Sequence, residues 1–223
     1  IFFVFIFMHE SVQKLIQIEK LVKPKEIGLK EITIIAISKT FKLEKVLPLI
    51  DYGHLDYGEN KVQEALDKWS DIKAKKPSIK LHLVGKLQTN KVKSALKIFD
   101  FIHSVDSKKL AKKIADEQLK QNKKVKIFIQ VNIGNEYQKS GVNKNELEEL
   151  FSYCNYLNLD VIGLMCLPPA NQDPHPYFSE LNELNKRLNL SDLSMGMSSD
   201  YTKAIEHSST YLRIGSEIFG QRS

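Results

Sequence analysis

Cysteine, arginine and glycine are scarce in this chain, and each scarcity excludes something. Among 223 residues there are only two cysteines, Cys154 and Cys166. Both lie in apolar segments with no metal-ligand spacing. That argues against a disulfide framework or a metal site and for a reduced, cytoplasmic setting. Of 33 basic residues only three are arginine, Arg187, Arg213 and Arg222, and the lysines are scattered. Specific nucleic-acid readers favour clustered cations and bidentate arginines. The formal net charge of +6 therefore reads as a solvated surface with some allowance for anionic ligands, not as a nucleic-acid face. No apolar run approaches the roughly 20 residues of a membrane-spanning helix. The apolar start, Ile1 to Phe7, is too short to span. It also lacks the basic start and small-residue cleavage site of a signal peptide. Met8 follows it at once, so residues 1–7 are expected to be a non-native or disordered extension, and no membrane contact is expected.

What is present is an alternation of strand-like and helix-like segments. Ile32 to Ile37 is an uncharged, mostly β-branched run that ends at Ser38-Lys39-Thr40, the pattern of a parallel strand buried on both faces. Further strands are expected around Leu55–Gly58, Leu81–Gly85, Phe101–Val105, Val125–Val131, Val161–Met165, Leu193–Met197 and Tyr211–Gly215. Between them lie segments with helical periodicity, such as Val62, Ala65, Leu66 and Trp69, or Leu110, Ala111, Ile114 and Ala115. Asn143 with Glu146 three residues on reads as a capping-box variant. Eight strand-helix repeats at a period of about 23 residues, with no linker or low-complexity break, predict one (β/α)8 barrel over residues 8–223. A doubly wound sheet is the weaker alternative. It usually carries a glycine-rich phosphate loop after its first strand, whereas here no glycine follows until Gly53.

In such a barrel the carboxyl ends of all strands share one mouth. The residues expected there are Lys39, Glu59, Asn60, His82, Gly85, His103, Ser104, Asn132, Met165, Ser198, Ser199, Arg213, Gly215 and Ser216. A partly buried Lys39 would lose hydration and release its proton more readily, and a neutral amine can form a Schiff base with an aldehyde. Ser198-Ser199 and Gly215-Ser216 fall in the loops after strands seven and eight, where barrels commonly hold phosphate. Together they describe a ligand with an aldehyde at one end and a phosphate at the other, and pyridoxal 5′-phosphate (PLP) has both. Arg213 would lie near the ring, where a fixed cation discourages protonation of the pyridine nitrogen and restrains carbanion chemistry.

Several motifs occur in a telling order: A-I-S-K-T (36–40), Y-G-E-N-K-V-Q-E (57–64), H-x-x-G-x-L-Q-x-N-K (82–91), K-S-G (139–141), G-L-M (163–165), L-S-M-G-M-S (193–198) and R-I-G-S-E-I-F-G (213–220). From about residue 11 onward the chain resembles the pyridoxal phosphate homeostasis proteins (the YggS/PROSC group). The resemblance implies a barrel similar to the amino-terminal domain of alanine racemase. It implies a Schiff-base lysine at Lys39, phosphate contacts at Ser198, Gly215 and Ser216, a ring-nitrogen arginine at Arg213, and a pocket-edge residue at Asn60. Cys166 after G-L-M and Ser199 in place of a frequent acidic residue depart from the family pattern. The expected function is intracellular PLP homeostasis, with transfer to apo-enzymes by imine exchange and no dedicated catalytic residue. A racemase needs a second base, which in enzymes of this fold comes from a second domain. A weak amino-acid racemase, a Schiff-base lyase for a phosphorylated sugar and an RNA-associated barrel are the competing readings. Lacking the racemase's dimer-forming domain, a lone barrel leans toward monomer.

Overall fold

The structure, a computed structural model, describes residues 8–22, 31–136 and 140–221. The expected extension at 1–7 and Lys139 of the K-S-G motif lie outside the described residues. Helix α1 (Glu10–Val22) precedes the sheet. Then β1 (Thr33–Ile37), α2 (Leu43–Tyr52), β2 (Asp56–Glu59), α3 (Val62–Lys75), β3 (Lys80–Leu83) and α4 (Val92–Ile98) follow one another. The chain continues through β4 (Phe101–Val105), α5 (Lys108–Gln121), β5 (Lys126–Val131), α6 (Leu147–Tyr156), β6 (Asp160–Cys166) and α7 (His175–Arg187). It ends with β7 (Asp192–Met197), α8 (Tyr201–Glu206), β8 (Tyr211–Ile214) and the short α9 (Ser216–Phe219). The eight strands form a closed parallel barrel in sequence order. β1 closes it against β8, with Thr33 paired to Tyr211 and Ala36 to Ile214. The expected barrel is therefore observed. One local expectation fails: Asn143 caps a 3-10 turn at Lys144–Glu146 through the Asn145 amide, and α6 begins only at Leu147. Glu146 is thus the residue before the helix and does not complete a capping box.

Side chains alternate across each strand with period two. Ile34, Ala36, Leu81, Leu83, Ile102, Ile127, Ile129, Leu193, Leu212 and Ile214 face the helices and build the main apolar layer. The opposite parity fills the barrel interior. Phe101, Phe128 and Met165 cluster there, with Tyr211 packed against them. Among them stand His82, stacked on Phe101 at 4.2 Å between ring centroids, and His103, stacked on Phe128 at 4.3 Å. The interior is thus an aromatic plug with polar members, and these need partners because unpaired buried polar groups are costly. Burial pushes the imidazoles of His54, His82 and His103 down, so they are held neutral.

On the helix side, a buried ion pair fixes the carboxyl end of β1. Lys68 Nζ on α3 donates to the Ser38 carbonyl and to Glu59 Oε1, both at 2.9 Å. Glu59 is fully buried and also accepts from the Ser38 hydroxyl at 2.7 Å and from the Trp69 indole at 3.0 Å. Glu64 Oε1, 3.4 Å from Lys68, accepts the Thr40 amide at 2.6 Å. The backbone on both sides of Lys39 is therefore tied to one buried cation.

Lys68→Met should cost about 3–5 kcal/mol in urea unfolding, because it leaves the Glu59 carboxylate buried and unpaired. Adding Glu59→Leu should recover much of that loss; a single variant as stable as the parent chain would refute the clamp. The histidines set a second expectation. The unfolded chain binds their protons near the ordinary histidine pKa of about 6.5, while the folded chain resists them. Stability should be full above that pH and fall below it, by up to about 1.4 kcal/mol per pH unit for each histidine. Urea unfolding between pH 7.5 and 5 reads this slope, and a flat or rising trend on acidification would contradict it.

Candidate functional site

A cavity of about 730 Å³ opens at the carboxyl ends of the strands. Lys39, Asn60, Ser198, Arg213, Gly215 and Ser216 all line it, as do Gly85, Asn132 and Ser199. The other mouth candidates lie elsewhere. His82, His103 and Met165 belong to the barrel interior, where they are fully buried, and Ser104 is buried as well. Glu59 points the other way, into the clamp under β1. The reason is parity and depth: a residue within a strand faces the plug or the helices, and only residues past the strand end reach the mouth.

Lys39 is half-buried and follows β1 at the second position of a turn. The Phe41 amide closes that turn on the Ser38 carbonyl at 3.1 Å, and Thr40 adopts φ 69°. Positive φ is strained for a β-branched residue and persists only when its surroundings hold it. The bond from the Thr40 amide to Glu64 provides that hold.

The opposite wall comes from β7 and β8. β7 carries an extra residue between the pairs Ser194↔Tyr211 and Met197↔Arg213, which is a bulge. Gly196 sits in it at φ 91°, and a Cβ there would lie 2.7 Å from the Ala204 Cβ. Beyond the bulge, Ser198 Oγ accepts the amides of Gly215 at 3.2 Å and Glu217 at 3.4 Å, at the start of α9. A hydroxyl oxygen thus occupies a group of backbone donors of the kind that favours anions. A Cβ on Gly215 would meet the Ile37 Cβ at 3.3 Å, so the room that glycine leaves there also lets β1 pack closely.

Arg213 forms part of the cavity wall from inside the barrel and is only 5% exposed. Its Nη1 donates to Ser194 Oγ at 2.7 Å and its Nη2 to the Cys166 carbonyl at 2.8 Å. Burial pushes its guanidinium down from its ordinary value, but an arginine remains charged in proteins. Asn60 is fixed by its neighbour: a Cβ on Gly85 would lie 2.3 Å from the Asn60 carbonyl oxygen, so only glycine allows that approach. Sequence reasoning missed Phe41, Lys86 and Gln130, which also line the cavity. Gln130 could have been found by strand parity, since its neighbours Ile129 and Val131 face the helices.

Comparison with known proteins gives this geometry its relatives. The family model for the alanine racemase N-terminal domain matches residues 27–223. A pyridoxal phosphate homeostasis protein of Aquifex aeolicus is 41% identical over 199 residues, covering 85% of this chain and 86% of its own. A human protein of the same name is 34% identical, over 90% of this chain and 80% of its own. Among solved structures, PipY of Synechococcus elongatus with PLP bound is similar at a TM-score of 0.85 and 28% identity, across 94% of this chain and all of that one. With barrel, mouth and sequence in agreement, the chain belongs to the alanine racemase N-terminal domain family and, within it, to the pyridoxal phosphate homeostasis proteins.

Proposed function

We propose that the cavity holds PLP on Lys39 for delivery to other enzymes and runs no dedicated reaction of its own. One observation carries this reading: Lys39, Arg213 and the Ser198–Gly215–Ser216 wall surround a single cavity. β1 and β8 are neighbours in the sheet, so the amine and the anion-favouring wall sit on adjacent strands about 4.8 Å apart. When bound, PLP supplies an aldehyde that condenses with an amine and a ring that can draw electrons from the adduct. Lys39 would supply that amine. Ser198 and the amides around Gly215 and Ser216 would take the phosphate, and Asn60 would bound the edge. Arg213 presents only donors toward the ring nitrogen, so it offers no carboxylate to stabilise a protonated ring, and electron withdrawal stays weak.

The rest of the lining supports holding over turnover. Among the described residues it includes no Tyr, His, Asp, Glu or Cys, which leaves Lys86 as the one further side chain there that could act as a base beside Lys39. Racemisation requires a base on each face of the substrate carbon. Release would proceed by reversible imine exchange at Lys39, which suits transfer to apo-enzymes in the cytoplasm. Among the described residues no helix is long and apolar enough to cross a membrane.

Borohydride reduction of the PLP-loaded protein followed by peptide mapping should label Lys39, and Lys39→Ala should lose the yellow absorbance. A label on Lys86 instead would reassign the amine. Arg213→Gln should shift the absorbance of the bound cofactor and raise its weak electron-sink reactivity; an unchanged spectrum would count against the ring contact.

A further inference from the structure

We propose that His82, His103 and Ser194 form a one-way hydrogen-bond relay that runs through the barrel interior from Arg213 to Asp56 and acts as a positioning device for the guanidinium. Arg213 Nη1 donates to Ser194 Oγ at 2.7 Å. Ser194 Oγ lies 2.8 Å from His103 Nδ1. His103 Nε2 lies 3.0 Å from His82 Nδ1, and His82 Nε2 lies 3.0 Å from Asp56 Oδ1. Asp56 opens β2, at the end of the barrel away from the cavity, where its side chain keeps 18% exposure.

The two ends fix the direction. A guanidinium has no acceptor and an ionised carboxylate has no donor. With both imidazoles neutral, only one arrangement satisfies every contact. Ser194 donates its hydroxyl proton to His103 Nδ1, His103 Nε2–H donates to His82 Nδ1, and His82 Nε2–H donates to Asp56. The reverse arrangement would set a bare His82 Nε2 against the Asp56 carboxylate, so it needs either a protonated Asp56 or a charged His82. Both run against the surroundings. Burial opposes charge on either imidazole. Burial is the largest single influence on the Asp56 carboxyl and pushes it up, but the hydrogen bond from His82 and the electrostatics of His82, Lys80 and His54 together outweigh it and hold the group below the usual range. The remaining charged or titratable groups near the relay are His54 and Lys80 beside Asp56, Asp100 toward His82, Tyr211 packed between the rings, and Cys166 and Asp200 near Arg213. None of them hydrogen-bonds to either imidazole, so none supplies the alternative donor that the reverse order would need.

The consequence for the cavity rests on the PLP reading above. The relay pins Nη1 while the Cys166 carbonyl pins Nη2, which fixes the guanidinium plane and leaves its other donors for the cavity. Every proton in the relay points away from Arg213, so the interior offers the ring no proton from below.

Long-range ¹H–¹⁵N correlation spectra of the labelled full chain without PLP read the tautomers directly. Expected at pH 7 is the neutral Nε2–H form for both His82 and His103, unchanged at pH 6. An Nδ1–H form or an imidazolium at either residue overturns the relay. This arm does not depend on PLP, so it separates failure of the relay from failure of the cofactor reading. In the loaded protein, Ser194→Ala should keep both tautomers, which are set from Asp56. It should also shift the absorbance of the bound cofactor and weaken PLP retention about tenfold, the scale of one lost charged hydrogen bond. Ser194→Thr, which retains the hydroxyl, should restore both. Parental retention and spectrum in Ser194→Ala would show that the relay does not position Arg213.

Discussion

A permanent charge buried at the wall of an otherwise aromatic barrel is the constraint that organises this molecule. Taking a guanidinium out of water costs several kcal/mol unless its donors are met and a counter-charge is within reach. Here the donors are met by a serine and a main-chain carbonyl. The carboxylate of Asp200 lies within electrostatic reach, and a second carboxylate, Asp56, ends the hydrogen-bond relay at the far end of the strands beyond two imidazoles. The interior histidines are therefore not spare catalysts. They link a buried guanidinium to a partly exposed carboxylate at the barrel end, and stacking on Phe101 and Phe128 lets the same rings serve as packing.

The second organising fact is topological. Barrel closure makes the first and last strands neighbours, so a lysine near the start of the chain and an anion-favouring turn near its end share one wall. Register matters as much as adjacency. A slip of one residue would turn Arg213 toward the helices and bring Leu212 inside. The Gly196 bulge then advances β7 far enough for Ser198 to reach the amides that open α9. On the other side, Lys68 draws Ser38, Glu59 and Glu64 together and holds the Thr40 backbone in a conformation that threonine disfavours. The two walls are rigid for different reasons: one by backbone pairing, the other by a buried ion pair.

Much of this was legible in the residues. Mostly apolar runs such as Thr33–Ile37 and Phe101–Val105 mark strands because burial on both faces leaves little polar alternation to confuse them. Lys39, Ser198, Gly215 and Ser216 could be assigned because each stands just past a strand end, where only the mouth is available. His82 and His103 were misplaced to that mouth for an equally physical reason. Sequence tells which strand carries a residue but not how deep the barrel plug extends, and a histidine in a strand looks the same above the plug as within it. Lys68 gave no signal at all. A lysine on an amphipathic helix reads as solvated surface, and only the three-dimensional approach of α3 to β1 reveals that it is buried against Glu59. Asn143 and Glu146 had the right spacing for a capping box, but the first turn there winds as a 3-10 helix, which shifts the cap away from Glu146.

The pairing of β1 with β8 also dictates an order of events during synthesis. β1, with Ile34, Ile35, Ala36 and Ile37 in a row, leaves the ribosome long before Tyr211–Ile214 is made. At roughly 5–20 residues per second, that aliphatic edge waits on the order of ten seconds or more for its partner. Until then its unpaired amides and carbonyls are open to any other nascent strand. A chaperone that shields the first βα units would therefore serve this barrel most, and messages that stall translation late would be expected to yield aggregates rather than partly active fragments.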